Sequence, residues 1–275
     1  MKKLIKIFVA CALTLAACTE ARAAEPEYFR WIGEADKAVA AKDWDRALQC
    51  YDAAMKSEPD NANNVLVLGN LGMVQYYAGR DSLALETLTK AHVMAPKSTT
   101  LLLNRGKVLA DMGRYDDAVA DFTQVLDIDS VNTGALFNRG YIRLRKGDND
   151  GAEADLLKYS QLAPDDLNSI SSLAVLYSNT DRFKEAIPFY DKLIEKRPNG
   201  DAYAARAFCK LTLEDLTGAS EDISEGLKID PNNGELYYAR AYLNHLRYLD
   251  EDAKADAKRA EEFGVEKERI KMLFQ

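Results

Sequence analysis

Four arginines each have an aspartate sixteen residues further on: Arg105 and Asp121, Arg139 and Asp155, Arg206 and Asp222, Arg240 and Asp256. A guanidinium and a carboxylate can close a two-pronged ion pair; a row of guanidiniums can instead bind the acids of a ligand. Other reactive side chains are few. The two histidines, His92 and His245, are 153 residues apart and offer little for a metal site or a catalytic triad. Asp127-Ile128-Asp129 and Asp148-Asn149-Asp150 resemble fragments of a calcium loop, but neither has the turn glycine and terminal glutamate at the required spacing. There is no phosphate-binding loop and no nucleophile motif. No catalytic residue, metal or cofactor is expected.

The chain has 275 residues, 36 Lys and Arg against 44 Asp and Glu, and is 47% hydrophobic. That apolar share, with 15 Gly and 7 Pro, excludes disorder and fibrous repeats. The acidic balance argues against a nucleic-acid partner, which calls for a basic stripe that displaces counterions.

The first residues read as an address. Lys2, Lys3 and Lys6 precede an apolar run from Ile7 to Ala17, too short to span a bilayer, which needs about 20 residues. Two cleavage sites compete. Leu15-Ala16-Ala17-Cys18 looks like a bacterial lipobox, which makes residues 1–17 the signal and Cys18 a lipidated first residue. Ala21-Arg22-Ala23 is an ordinary small-x-small site and extends the signal to 1–23. The expectation is an exported envelope lipoprotein, attached to the membrane only through Cys18. Thr19 after the cysteine resembles the outer-membrane pattern of well-studied envelopes; a soluble periplasmic protein is the alternative. Removing 1–17 leaves 33 basic against 44 acidic residues, a net charge of −11.

Alanines recur at Ala47, Ala84, Ala118, Ala152, Ala186, Ala219 and Ala253, spaced by 33, 34 or 37 residues. Twelve residues before each stands a small residue: Ala35, Gly72, Gly106, Gly140, Ala174, Ala207 and Ala241. Pro59, Pro96, Pro164, Pro198 and Pro231 fall twelve after five of them. A 34-residue unit with these landmarks resembles the tetratricopeptide repeat, most plainly at Leu102, Gly106, Gly113, Tyr115, Ala118 and Phe122. The repeats are then 28–61, 65–98, 99–132, 133–166, 167–199, 200–233 and 234–264, with residues 62–64 inserted at the first junction and 265–275 as a closing helix.

The resemblance implies an all-α chain, a right-handed α-solenoid of seven helical hairpins. Apolar residues fall at helical spacing on two segments per unit, helix A and helix B. Gly or Ala at positions 8 and 20 lets these helices cross closely. A turn containing Gly79, Gly113, Gly147 or Asp181 separates them, and the proline ends helix B, with Asp or Asn after it to cap the next helix A. Pro188, near the first turn of its helix B, is expected to be tolerated. Cys50 and Cys209 belong to the first and sixth units, too far apart for an intramolecular bridge.

In this register the four arginines stand at position 7 and the four aspartates at position 23. The other three units have Glu34, Leu71 and Leu173 with Cys50, Thr87 and Phe189. The two residues come and go together, which favours structural ion pairs across each hairpin over a ligand-binding row. For function, the resemblance implies a non-enzymatic scaffold that holds a protein or peptide segment in the concave groove lined by the A helices. Carried onto this sequence, the groove offers Tyr76, Tyr77, Asn104, Lys107, Asp111, Phe137, Asn138, Tyr141, Arg145, Phe208, Tyr238 and Tyr242. The clamp for chaperone tails is not assembled, because position 5 of the third repeat is Leu103 and position 9 is Lys107. Of an asparagine ladder only Asn104 and Asn138 are present. The alternative is an accessory subunit acting on a basic partner through an acidic convex face.

Overall fold

The computed structural model describes residues 26–274, and every regular element among them is helical. Seven hairpins follow one another: α1 (Glu27–Ala40) with α2 (Trp44–Ser57), α3 (Asn64–Tyr77) with α4 (Asp81–Met94), α5 (Thr99–Asp111) with α6 (Tyr115–Ile128), α7 (Thr133–Lys146) with α8 (Asn149–Leu162), α9 (Leu167–Asn179) with α10 (Phe183–Lys196), α11 (Gly200–Thr212) with α12 (Leu216–Ile229), and α13 (Gly234–Leu246) with α14 (Asp250–Glu262). The chain ends in α15 (Lys267–Lys271) and a tight 3-10 turn, Met272–Phe274. No helix among the described residues is long and apolar enough to cross a membrane. The signal segment and Cys18 lie outside the described residues.

The chain divides into two compact units, one ending at Val67 and one starting at Leu68. In the first, Ala35 and Ala47 are fully buried where α1 meets α2, and the Tyr51 hydroxyl donates to Asp36 at 3.1 Å. The inserted residues end in Asn64, whose amide donates to the carbonyls of Glu58 (2.8 Å) and Pro59 (2.9 Å) and pins the start of α3.

In the second unit each A helix packs on its own B helix and each B helix on the next A helix, from α4 to α13. The small residues at position 8 set the closest approach. A Cβ added to Gly106 would stand 2.7 Å from the Phe122 ring, and one added to Gly72 would stand 2.6 Å from Leu88. α3, α5 and α7, with glycine at position 8, therefore seat a large side chain of the partner helix against bare backbone, and Leu88, Phe122 and Leu156 are fully buried. Asn132, Asp166, Asn199 and Asn233 accept from the first-turn backbone of α7, α9, α11 and α13 and fix where those helices begin. α10 runs unbroken through the exposed Pro188.

All seven A–B turns place position 15 in the left-handed region. Gly79, Gly113 and Gly147 have φ of 76°, 78° and 80°, and Asp181 has 57°. The same conformation is taken by Lys42 (59°), Glu214 (63°) and Tyr248 (60°), where the sequence carries no glycine signal. At the C-terminus Ile270 and Leu273 are buried with Tyr237, Tyr238, Ala257 and Val265, so the closing segment covers the last hairpin. Cys50 and Cys209 are both buried free thiols, each within its own unit.

Candidate functional site

Arg105 on α5 forks onto Asp121 on α6, with Nε donating at 2.8 Å and Nη2 at 2.7 Å to the two carboxylate oxygens. The same fork joins Arg139 to Asp155 (2.8 and 2.7 Å), Arg206 to Asp222 (2.9 and 2.5 Å) and Arg240 to Asp256 (2.8 and 2.6 Å). All four aspartates are buried. Three have a further donor one turn along the same A helix: Arg143 on Asp155 at 2.8 Å, Lys210 on Asp222 at 2.8 Å and Asn244 on Asp256 at 3.0 Å. That position is Leu109 in the third repeat, so among the described residues Asp121 bonds to Arg105 alone. Arg139 and Arg206 also reach the preceding hairpin, at the Thr123 hydroxyl (3.0 Å) and the Asp191 carboxylate (2.6 Å). These arginines hold hairpins shut and tie neighbours together.

The other face of the A helices is where a ligand could lie. α5 touches α7, α7 touches α9 and α11 touches α13, whereas successive B helices make no comparable contact among the described residues. α9 and α11 do not close on each other to the same extent.

The residues assigned to this face divide into two groups. Tyr76 and Tyr238 are buried, only 8% and 5% exposed, and pack against other side chains. Tyr76 donates its hydroxyl to Asp111 and so packs repeat two on repeat three. Tyr238 lies beneath the Arg269 guanidinium, 4.4 Å from its ring centre. Tyr77 packs on Tyr76 with ring centres 5.3 Å apart. Asn138 turns its amide onto the Gly134 carbonyl at 2.6 Å, and Arg145 lies 5.5 Å from the Tyr115 ring. Phe137 is half-buried between Tyr141 and Tyr159. The remaining candidates keep accessible surface. Tyr141 is 40% exposed, Asn104 is half-buried, and Phe208 and Tyr242 form a half-buried ring pair at 5.8 Å. Lys107 is half-buried, and burial draws its ammonium below the ordinary lysine pKa.

A cavity of about 580 Å³ opens where α9 and α11 stand apart. That volume is in the range of small-ligand and side-chain pockets, about 300–1,000 Å³. Ser178, Asn179, Asp181, Phe183, Tyr190, Asp201, Ala204, Ala205, Phe208, Cys209, Glu235 and Arg269 line it. Its room comes from small side chains: Ser178 on α9, and Ala204 and Ala205 at positions 5 and 6 of α11, where repeat four has Phe137 and Asn138. Tyr190 and Ser178 share a hydrogen bond of 3.1 Å at its base, and burial raises the pKa of both Tyr190 and the neighbouring Cys209 thiol. Glu235 takes both prongs of Arg269, at 2.6 and 2.7 Å.

Hairpins of equal length, small residues at fixed crossing positions and a shared left-handed turn define a repeat family. The tetratricopeptide repeat profile matches residues 32–99, 103–166 and 169–202. The chain belongs to the tetratricopeptide repeat family. Its fold is similar to that of a tetratricopeptide repeat protein from Parabacteroides merdae ATCC 43184, with a TM-score of 0.65 and 27% identity over 90% of this chain and 97% of that one. It is also similar to YrrB, described as a tetratricopeptide repeat protein with an unusual peptide-binding site, with a TM-score of 0.59 and 17% identity over 68% of this chain and 97% of that one. A 93-residue stretch, 31% of the chain, is 31% identical to the photosystem I assembly protein Ycf3 of Synechococcus sp. (strain CC9902) and spans about half (54%) of that relative's length. Tetratricopeptide arrays are protein-interaction scaffolds, and this chain is one by fold and family.

Sequence reasoning found Phe208 of this tetratricopeptide array's cavity and missed Asp181, Asp201, Glu235 and Arg269. The signal was available for two of them, because Asp201 and Glu235 both stand at position 2 of an A helix. Arg269 was out of reach, since it comes from the closing segment beyond the repeats.

Proposed function

We propose that the protein is a non-enzymatic scaffold of the bacterial cell envelope that holds an extended protein segment on the A-helix face of its second unit. The observation that carries this reading is the cavity between α9 and α11, lined by Phe208, whose ring packs against Tyr242 at 5.8 Å. Aromatic side chains with a few polar groups around them are what an extended segment uses for anchoring. YrrB, of like fold, is described as having a peptide-binding site, which supports the same reading.

The alternative, an accessory subunit acting on a basic partner through the convex face, has its own support in charge: α6 carries Asp116, Asp117 and Asp127 and no lysine or arginine, whereas on other B helices acids pair with bases one turn away, as Glu86 does with Lys90. The envelope assignment rests on the N-terminal residues, with Cys18 as a lipid anchor on the first cleavage reading.

A photo-crosslinking residue placed at Tyr141 or Tyr242 in cells should trap a defined partner, and one at Gln124 on α6 should not. Crosslinks from Gln124 alone would move the site to the convex face. Fatty-acid labelling of cells should mark the wild type and not Cys18→Ser; absence of label in both would leave the soluble form.

A further inference from the structure

We propose that the cavity between α9 and α11 receives a basic side chain, an arginine or lysine, of the segment held on the A-helix face. The proposal rests on the groove reading above and names the residue chemistry that the groove selects. Three observations lead to it.

First, two of the carboxylates lining the cavity have no cationic partner among the described residues. Asp201 is exposed and accepts only the Asn233 amide, at 2.7 Å. Asp181 is exposed in the turn that joins α9 to α10, and it lines the cavity. Second, the wall beside these acids is aromatic and roomy. Phe183 and Phe208 supply ring surface for the aliphatic stem or guanidinium plane of a basic residue, and Ala204 and Ala205 leave the space.

Third, the chain carries its own example of this recognition one repeat further on. At position 2 of repeat seven, Glu235 takes the Arg269 fork, and the same guanidinium lies over Tyr238. Position 2 of repeat six is Asp201; position 5, where repeat seven has Tyr238, is Ala204, and the ring comes instead from position 9, Phe208, which stacks on Tyr238 at 5.8 Å and 7° between planes. The carboxylate is thus repeated at the pitch of the array, and the ring lies one turn further along the helix. In repeat seven the closing segment supplies the arginine, and that Glu235–Arg269 pair forms one wall of the cavity. Beside Asp201 the partner supplies the cation. The one cation in the lining, Arg269, is taken up by Glu235, so Asp181 and Asp201 beside the aromatic wall select a cation over a neutral or acidic residue, since an acid there would meet like charge.

The test uses the full chain and a random 12-residue phage-displayed peptide library. Selected peptides are synthesised with each Arg or Lys replaced in turn by Gln, and affinities are measured by fluorescence polarisation. The expected result is at least a tenfold loss for one such replacement. A similar loss should follow from Asp181→Asn with Asp201→Asn, and the two losses should not add when combined. Both aspartates are exposed, and melting curves of the variant should match the wild type. Peptides weakened by Tyr141→Ala and Phe208→Ala but indifferent to the aspartates and to their own basic residues would overturn the proposal and leave the groove reading standing. Peptides indifferent to all of these changes would overturn both.

Discussion

Repeats four and five are neighbours with the same backbone and different means of holding it closed. In repeat four Arg139 and Arg143 converge on the buried Asp155. In repeat five the equivalent positions are Leu173, fully buried, and Phe189, which packs against Tyr177 at 5.5 Å. Its polar contacts have moved to the boundary with repeat four, where Glu153 accepts from the Tyr177 hydroxyl at 2.9 Å and from Arg182 at 2.6 Å. The fold accepts an ion pair or an apolar pair at the hairpin seam, provided both residues change together. The cavity lies between repeat five, with its apolar seam, and repeat six, with the Arg206–Asp222 pair, and none of these four seam residues lines it. The arginines are thus part of the fastening, and the ligand face is built from other side chains.

The largest effect should come from breaking a seam by removing one partner. Arg105→Ala leaves Asp121 buried with no other donor and should destabilise by about 5 kcal/mol; Arg139→Ala leaves Asp155 with Arg143 and should cost about 3 kcal/mol. Urea denaturation of the two variants measures the difference, and equal losses would show that the second donor contributes nothing. Converting a seam wholly to the repeat-five type should undo most of this. Arg105→Leu with Asp121→Phe should come within about 2 kcal/mol of wild type, because no unpaired charge remains buried. A double variant as unstable as Arg105→Ala would mean that the seam residues are not exchangeable and that repeat five depends on its boundary network.

That network is the next point of attack. Its bond to Arg182 holds the Glu153 carboxyl below its ordinary 4.5. A carboxylate with a lowered folded pKa stabilises the protein above the unfolded value and loses that contribution as pH falls through the folded one. Glu153→Gln should therefore cost about 1 kcal/mol at pH 7 and nothing well below pH 4, where the wild type has lost the same contribution. Denaturation midpoints at pH 7 and pH 3 test it; a variant equally destabilised at both would locate the effect in packing. Tyr177, the other donor, has its pKa pushed up to about 12 by burial and by this carboxylate, so it stays neutral throughout.

How much of this could be read beforehand depends on what repeats. The alanines and glycines at positions 20 and 8 recur because every hairpin must cross at the same distance, so the register and all seven hairpins were legible. The seams were legible for the same reason: an arginine and an aspartate that appear only together announce a contact. The second donors Arg143, Lys210 and Asn244 differ in chemistry from repeat to repeat and gave no pattern. The cavity was hidden because it arises from small side chains in two adjacent repeats, an absence of bulk that position lists of anchors overlook. The burial of Tyr76 and Tyr238 was not legible because their neighbours decide their exposure. Asp111 is 35 residues from Tyr76, and Arg269 is 31 from Tyr238.

The smallest expected effect separates the turns of repeats two to four from those of repeats five to seven. Gly79, Gly113 and Gly147 take a left-handed conformation without strain, whereas Asp181, Glu214 and Tyr248 take it with a Cβ. The left-handed region costs an ordinary residue about 1 kcal/mol, partly offset by the greater freedom that glycine has in the unfolded chain. Tyr248 is 91% exposed, so it has little packing to lose. Tyr248→Gly and Glu214→Gly should each stabilise by about 0.5 kcal/mol, and Gly113→Ala should destabilise by about 1 kcal/mol. Asp181→Gly should give the same stabilisation, but under the cavity proposal it should also weaken a basic peptide. Denaturation and peptide binding measured on Asp181→Gly and Glu214→Gly together decide the matter. If both become more stable and only the first loses binding, the aspartate is kept at a strained turn for the ligand; if neither loses binding, Asp181 is there for its tolerance of the turn alone.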